Sequence, residues 1–317
     1  MDCEILESIE DKYEVIQQIG SGTYSNVFLL RDCNYNLFAA KQLKILQKML
    51  GFPINSIREI SILKDLKCKN IVDLRKIIST SNNIVYLVFD YYKYDLSKLL
   101  YGEMNSIITK NHIIYYMKQI INSIKECRDN FIIHRDIKPS NIFITDNNEI
   151  KLGDFGLARR VKQGAVHTSH VVTLYYRAPE LLLGSKDYSY EVDMWSVGCV
   201  LFEMMAKKPL FFTEFKNHNV DIAQMDLIFS ICGTPNIKEW QELEKLDKNS
   251  LFKNKIPKPN KLKEYLQKNL PICFHGAIDL LLKMLEITPS KRITPDEALQ
   301  HPFFLDNNIS PQSLGLI

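Results

Sequence analysis

His134-Arg135-Asp136-Ile137-Lys138-Pro139-Ser140-Asn141, with Asp154-Phe155-Gly156 a little further on and Ala178-Pro179-Glu180 beyond it, is the stretch on which the reading of this chain turns. Asp136 is a carboxylate able to take a proton from a hydroxyl, and Lys138, two residues on, is a cation able to neutralise charge developing beside it. Asn141 and Asp154 add hard oxygen donors of the kind a small divalent cation prefers. One short stretch thus carries a base, a cation and two metal-ligand candidates.

Toward the N-terminus the pattern is β-rich. Residues 13–19, 26–31 and 37–43 read as strands separated by the turn-prone Gly20-Ser21-Gly22 and Asp32-Cys33-Asn34, an antiparallel meander. In Gly20-Ser21-Gly22-Thr23-Tyr24-Ser25 the glycines let backbone N–H groups come close to phosphate oxygens, an approach that a Cβ would obstruct. The third strand carries Ala39-Ala40-Lys41, and Glu59, 18 positions after Lys41, can reach back to fix the ammonium. Glu59 lies in a predicted helix over 54–66, which follows Pro53 and has Ile57, Ile60, Leu63 and Leu66 assigned to one face. Two more strands are predicted at 72–78 and 84–89. From about Asp95 the pattern changes to long amphipathic helices at 111–128, 192–206, 223–232 and 276–285. The basic stretch 253–263 reads as a surface loop and 306–317 as a loosely packed tail.

Length and composition are consistent with this two-part organisation. At ~150 residues per domain, 317 residues suggest two domains or one large bilobal one. A hydrophobic fraction of 46% with 24% charged residues excludes disordered, collagen-like and low-complexity chains. Forty Lys and Arg against 37 Asp and Glu leave a net charge of +3, too small to predict direct nucleic-acid or membrane binding. The seven cysteines come no closer than 30 positions in sequence, so there is no metal-ligand spacing, and the odd, scattered set suggests a reducing compartment, nucleus or cytoplasm. No apolar run approaches the ~18 residues of a membrane span.

The three motifs, in this order, resemble the signature set of the eukaryotic protein kinases, over residues 13–304. The resemblance implies an α+β, bilobal fold: an antiparallel β-rich N-terminal lobe (13–91) and a larger helical C-terminal lobe (92–304), with short extensions at 1–12 and 305–317. It implies ATP and Mg²⁺ as cofactors and phosphoryl transfer to a protein hydroxyl, with Asp136 as base, Lys138 on the moving phosphoryl group, Lys41 on the α and β phosphates, Glu59 orienting Lys41, and Asn141 and Asp154 on the metal. The nucleotide site would comprise Ile19, Gly20, Ser21, Gly22, Thr23, Tyr24, Ser25, Asn26, Val27, Ala39, Lys41 and Phe89, with backbone groups of Asp90 and Tyr92 reading adenine. Ser25 stands where the family pattern has its third glycine. Lys138 with Thr173 resembles the serine/threonine branch. Asp193 is expected to brace the catalytic loop, and Glu180 to pair with Arg292.

Within the family, Pro53-Ile54-Asn55-Ser56-Ile57-Arg58-Glu59 resembles the cyclin-binding helix of cyclin-dependent kinases, which implies a cyclin partner. Arg58, Arg135 and Arg159 would gather around an activation-loop phosphothreonine, placed at Thr168 by counting back from Ala178-Pro179-Glu180 and at Ser169 by counting forward from Asp154; Thr168 is preferred. Val171-Val172-Thr173-Leu174-Tyr175-Tyr176-Arg177, with Tyr175 where Trp is usual, resembles the substrate pocket of proline-directed kinases. Val172 and Arg177 would form that pocket, giving Ser/Thr-Pro protein substrates. Thr23 and Tyr24 are candidate inhibitory phosphorylation sites. Gly51-Phe52-Pro53-Ile54, Phe89-Asp90-Tyr91-Tyr92-Lys93-Tyr94-Asp95-Leu96 and Glu191-Val192-Asp193-Met194-Trp195 look closer to transcription-type members, which act on the RNA polymerase II tail in the nucleus. A cell-cycle kinase is the alternative, and a pseudokinase scaffold a third reading, disfavoured because Lys41, Asp136 and Asp154 are all present.

Overall fold

Alternation along one strand shows how the small lobe is built. In Val85–Asp90, Val85 and Leu87 are buried in the main core, while Tyr86 and Val88 are buried on the other face with Ile9, Tyr13, Leu30, Ala40 and Ile78. A period of two with both faces covered is what a sheet sandwiched between other layers requires. The computed structural model describes residues 3–6, 9, 12–21, 25–43, 54–80, 84–102, 108–161, 174–212, 220–235, 238, 240, 243–246 and 257–305.

The strands of this lobe are β1 (Cys3–Leu6), β2 (Glu14–Ser21), β3 (Ser25–Arg31), β4 (Leu37–Leu43), β5 (Leu74–Thr80) and β6 (Val85–Asp90), in sheet order β1-β5-β6-β4-β3-β2. β2 to β6 pair antiparallel, and β1, ahead of residue 13, adds a parallel strand along β5. Helix α1 (Ile54–Asp65) packs between this sheet and the large lobe.

Then come β7 (Tyr94–Asp95), α2 (Leu96–Tyr101), α3 (Lys110–Asp129), β8 (Ile132–Ile133), β9 (Ile142–Ile144), β10 (Ile150–Leu152) and β11 (Arg159–Arg160). The rest is helical: α4 (Pro179–Leu182), α5 (Glu191–Ala206), α6 (Val220–Cys232), α7 (Leu243–Leu246), α8 (Leu262–Asn269), α9 (Ile278–Met284), α10 (Pro295–Leu299) and α11 (Pro302–Leu305). Helix α5 is apolar on nearly every side and sits at the centre of the large lobe with Trp195, Val197, Val200, Leu201 and Phe202 fully buried. No described helix is long and apolar enough to cross a membrane.

Four local expectations change. Ile57 is 51% exposed whereas Leu63 and Leu66 are buried, because a spacing of three advances 300° around a helix and places Ile57 opposite Leu66. The strand expected from Val72 starts at Leu74, since Ile71 bridges Leu152 and the Val72 N–H donates to the Leu152 carbonyl at 3.0 Å, committing that segment to the large lobe. The helix expected over 276–285 opens as a 3₁₀ turn, Ile272–Ala277, between Pro271 and the α-helix; Gly276, a poor helix former, lies in that turn. The loop expected over 253–263 gives its last two residues to α8, which buries Leu262 and Leu266. The tail 306–317 lies outside the described residues.

Candidate active site

The pleat of β4 decides where the key cation points. Ala40 faces the outer cluster, so its neighbour Lys41 faces inward, onto α1. There its Nζ lies 2.7 Å from Glu59 Oε1 and 2.8 Å from Asp154 Oδ1. Burial opposes the Lys41 charge, but the two carboxylates outweigh it and hold the ammonium above its ordinary range. Burial pushes the Glu59 carboxyl up, only partly offset by Lys41. For Asp154 burial also pushes up, but Lys41 prevails and the carboxyl titrates below its usual value. Asp154 adopts left-handed backbone at φ 57°, and a Cβ on Gly156 would stand 3.3 Å from both Asp154 Oδ1 and Lys41 Nζ, which explains the glycine after Phe155.

The loop that begins at His134 is hung from α5. Buried Asp193, in the first turn of α5, accepts from the backbone N–H groups of His134 and Arg135 at 2.8 Å each, and Arg135 is held at φ 67°. On this support Asp136 Oδ2 accepts from Lys138 Nζ at 2.8 Å and from Asn141 Nδ2 at 2.9 Å, while Asp136 Oδ1 is buried and has no partner among the described residues. Because the Asn141 amide nitrogen is engaged with Asp136, its oxygen remains for a cation, and the Asn141 backbone carbonyl accepts from the Gly153 N–H at 2.9 Å, which sets Asn141 beside the Asp154 segment. The donor set fits a hard divalent ion held jointly with phosphate oxygens; among the described residues no cluster of three or more His, Cys, Asp or Glu forms a self-sufficient metal site.

At the lobe junction, Asp90 turns its carboxylate to Arg75 in a bidentate pair of 2.9 and 2.6 Å, and the Tyr91 N–H donates to the Leu37 carbonyl at 3.3 Å. The Tyr92 ring stacks on Phe143 of β9 at 5.8 Å. Phe143 is a site residue that sequence reasoning misses. Its signal is the run Ile142-Phe143-Ile144 directly after Asn141, in which Phe143 alone is half-buried and turned toward the hinge side. Gly153 backs it: a Cβ there would meet the Phe143 ring at 2.6 Å. Ala39, Val27 and Phe89 lie on adjacent sheet strands with Ala39 opposite Phe89, and Gly20 and Ser21 pair with Val27 and Asn26. Ile19 is 40% exposed on β2, and Ser25 begins β3. Gly22, Thr23 and Tyr24 lie outside the described residues.

Arg135 is buried; its guanidinium donates to the Leu157 carbonyl at 2.8 and 2.7 Å and to the Tyr188 hydroxyl at 2.6 Å. Arg159 Nη1 approaches the same Leu157 carbonyl at 3.5 Å, and burial, then the positive charges of Arg135 and Arg58, push its pKa down to about 10. Thr168, Ser169, Val172 and Thr173 lie outside the described residues. Arg177 pairs with Asp221 of α6 at 2.8 Å, a partner not foreseen, and Tyr175 packs against Phe212 with centroids 5.3 Å apart. Glu180 and Arg292 meet at 2.7 Å with both side chains almost fully buried.

Similarity to known proteins agrees with this geometry. The family model for the protein kinase domain matches residues 13–304. The chain is 37% identical over 302 residues to cyclin-dependent kinase 12 of Caenorhabditis elegans, and 36% identical over 302 residues to cyclin-dependent kinase G-2 of Oryza sativa subsp. indica. These alignments cover 92% and 93% of this chain but only 40% and 41% of the relatives' length. Among solved structures, a chain of the yeast RNA Pol II CTD kinase CTDK-1 complex superposes with a TM-score of 0.83 at 34% identity, covering 95% of each chain. The CAK complex of Chaetomium thermophilum bound to ATP-gamma-S gives 0.84 at 31% identity, covering 97% of this chain and 95% of that one. The chain therefore belongs to the protein kinase family, and the curated relatives it resembles are cyclin-dependent kinases.

Proposed function

We propose that this chain, in complex with a cyclin, transfers the γ-phosphoryl group of ATP to Ser/Thr-Pro sites of protein substrates, with Mg²⁺ held by Asn141 and Asp154. The observation that carries the reading is the asymmetry of Asp136: Oδ2 is fixed by Lys138 and Asn141, and Oδ1 is left for a substrate hydroxyl. Lys41, set by Glu59, takes the α and β phosphates, and Thr173 closes the catalytic set. Activation follows phosphorylation of Thr168, whose charge of nearly two suits the cluster of Arg58, Arg135 and Arg159. Val172 and Arg177 shape the pocket for the proline, which has no N–H to satisfy.

Likeness to a kinase of the RNA polymerase II CTD and to cyclin-dependent kinase 12 favours a nuclear role in transcription and that tail as substrate. The test is transfer to a Ser/Thr-Pro peptide by the cyclin complex, with Asp136→Asn as control. Nucleotide binding without turnover, even after Thr168 phosphorylation, would refute the reading in favour of a scaffold.

A further inference from the structure

Beyond the motifs, α1 carries a charge in an unusual place. Asp65 is its last residue, where the helix dipole already presents negative charge and an acid is disfavoured. Asp65 Oδ2 is met by Arg160 Nη2 in a close ion pair. Arg160 is rooted on the large lobe: it stands opposite Ile132 in the β11–β8 ladder, and the next residue, Val161, donates its N–H to the Phe131 carbonyl at 2.7 Å. Strand β8 runs directly into His134-Arg135-Asp136, and β11 directly follows the turn Phe155–Leu157 against which α1 packs. Helix α1 is therefore tied at two points, by Glu59 to Lys41 in its middle and by Asp65 to Arg160 at its end.

We propose that Arg160 is a positioning residue for phosphoryl transfer: its ion pair with Asp65 holds the end of α1 on the base of the activation segment and so keeps Glu59 in register with Lys41. The proposal rests on the kinase reading of the Lys41–Glu59 pair. Arg160 touches neither nucleotide nor acceptor and acts only through α1. The pair is partly solvent-exposed, at 36% for Arg160 and 56% for Asp65, so it biases an equilibrium and does not lock one. Exposed pairs of this kind shift populations by roughly 1.5- to 5-fold.

The experiment compares wild type, Arg160→Ala, Asp65→Asn, the double variant and the charge-swapped Arg160→Asp/Asp65→Arg, each as the full chain without a partner. It reads the Kd of a non-hydrolysable ATP analogue with Mg²⁺, amide exchange across residues 60–66, and kcat and KM with the cyclin complex. Each single variant should weaken nucleotide binding and speed exchange by about 1.5- to 5-fold. The double should be no worse than either single, and the swap should recover most of the loss. In the complex, KM for ATP should move and KM for the peptide should not. Additive singles, no rescue by the swap, or unchanged exchange in α1 would overturn the proposal. Because Kd and exchange need no turnover, a wild type inactive on every Ser/Thr-Pro peptide would refute the kinase reading while leaving these two readouts to decide the role of Arg160.

Discussion

Replacing Arg292 with methionine should destabilise the large lobe by several kcal/mol, because the arginine is a buried node on which three separate segments converge. The guanidinium reaches Glu180 at 2.7 and 3.1 Å and donates to the carbonyls of Glu191 at 2.6 Å and Glu286 at 3.0 Å, while lying over the Trp195 ring at 5.2 Å. Methionine keeps much of the volume but strands the Glu180 carboxylate, 3% exposed, without a counter-charge. Breaking a buried pair from one side costs about 3–5 kcal/mol. Across residues 13–304 the unfolding entropy is about 0.6 kcal/mol/K, so 4 kcal/mol lowers Tm by about 7 °C. Adding Glu180→Leu removes the stranded charge and should recover a large part of the loss, since a buried pair exchanged for apolar groups is often nearly neutral. Loss of the guanidinium's bonds to the Glu191 and Glu286 carbonyls keeps the double variant below wild type. Urea denaturation of wild type, both singles and the double closes the cycle. A loss under about 1 kcal/mol in Arg292→Met, or singles that simply add, would refute the argument.

Asp136→Asn should lower kcat by about 10²- to 10⁴-fold with KM for ATP little changed, because the base acts on the acceptor alone; steady-state kinetics on a Ser-Pro peptide measure it. Glu59→Gln should instead raise KM for ATP and slow turnover together, since a neutral amide holds Lys41 less firmly; equal damage to the peptide KM would contradict this. Arg159→Ala should erase the activation gained on Thr168 phosphorylation while leaving the unphosphorylated rate within about 2-fold, read by comparing both forms of each protein. Buried Glu203 accepts from Tyr176 at 2.7 Å and from Tyr101, and burial raises its carboxyl above the ordinary value of 4.5. A raised acid binds its proton more tightly folded than unfolded, so its penalty is absent below 4.5 and grows as pH climbs through the folded value. Glu203→Gln should therefore gain stability relative to wild type as pH rises from 4.5 to 7, and a flat difference in urea midpoints would count against it.

The family, the order of strands before helices, and the candidate residues Lys41, Glu59, Asp136, Asn141 and Asp154 are all legible in the linear chain. They can be read there because phosphoryl transfer demands particular charges at particular spacings, and the motifs sit next to Gly and Pro residues whose backbone preferences act locally. Contacts between distant segments emerge only when the chain is folded. Phe143 closes on Tyr92, Arg177 turns to Asp221, and Ile71 and Val72 join the large lobe, because each contact depends on how two segments pack and leaves no trace in local periodicity. Ile57 makes the same point on one helix: an apolar residue announces that it is apolar, but the rotation of α1, fixed by Glu59 reaching Lys41, decides which side of it meets the core.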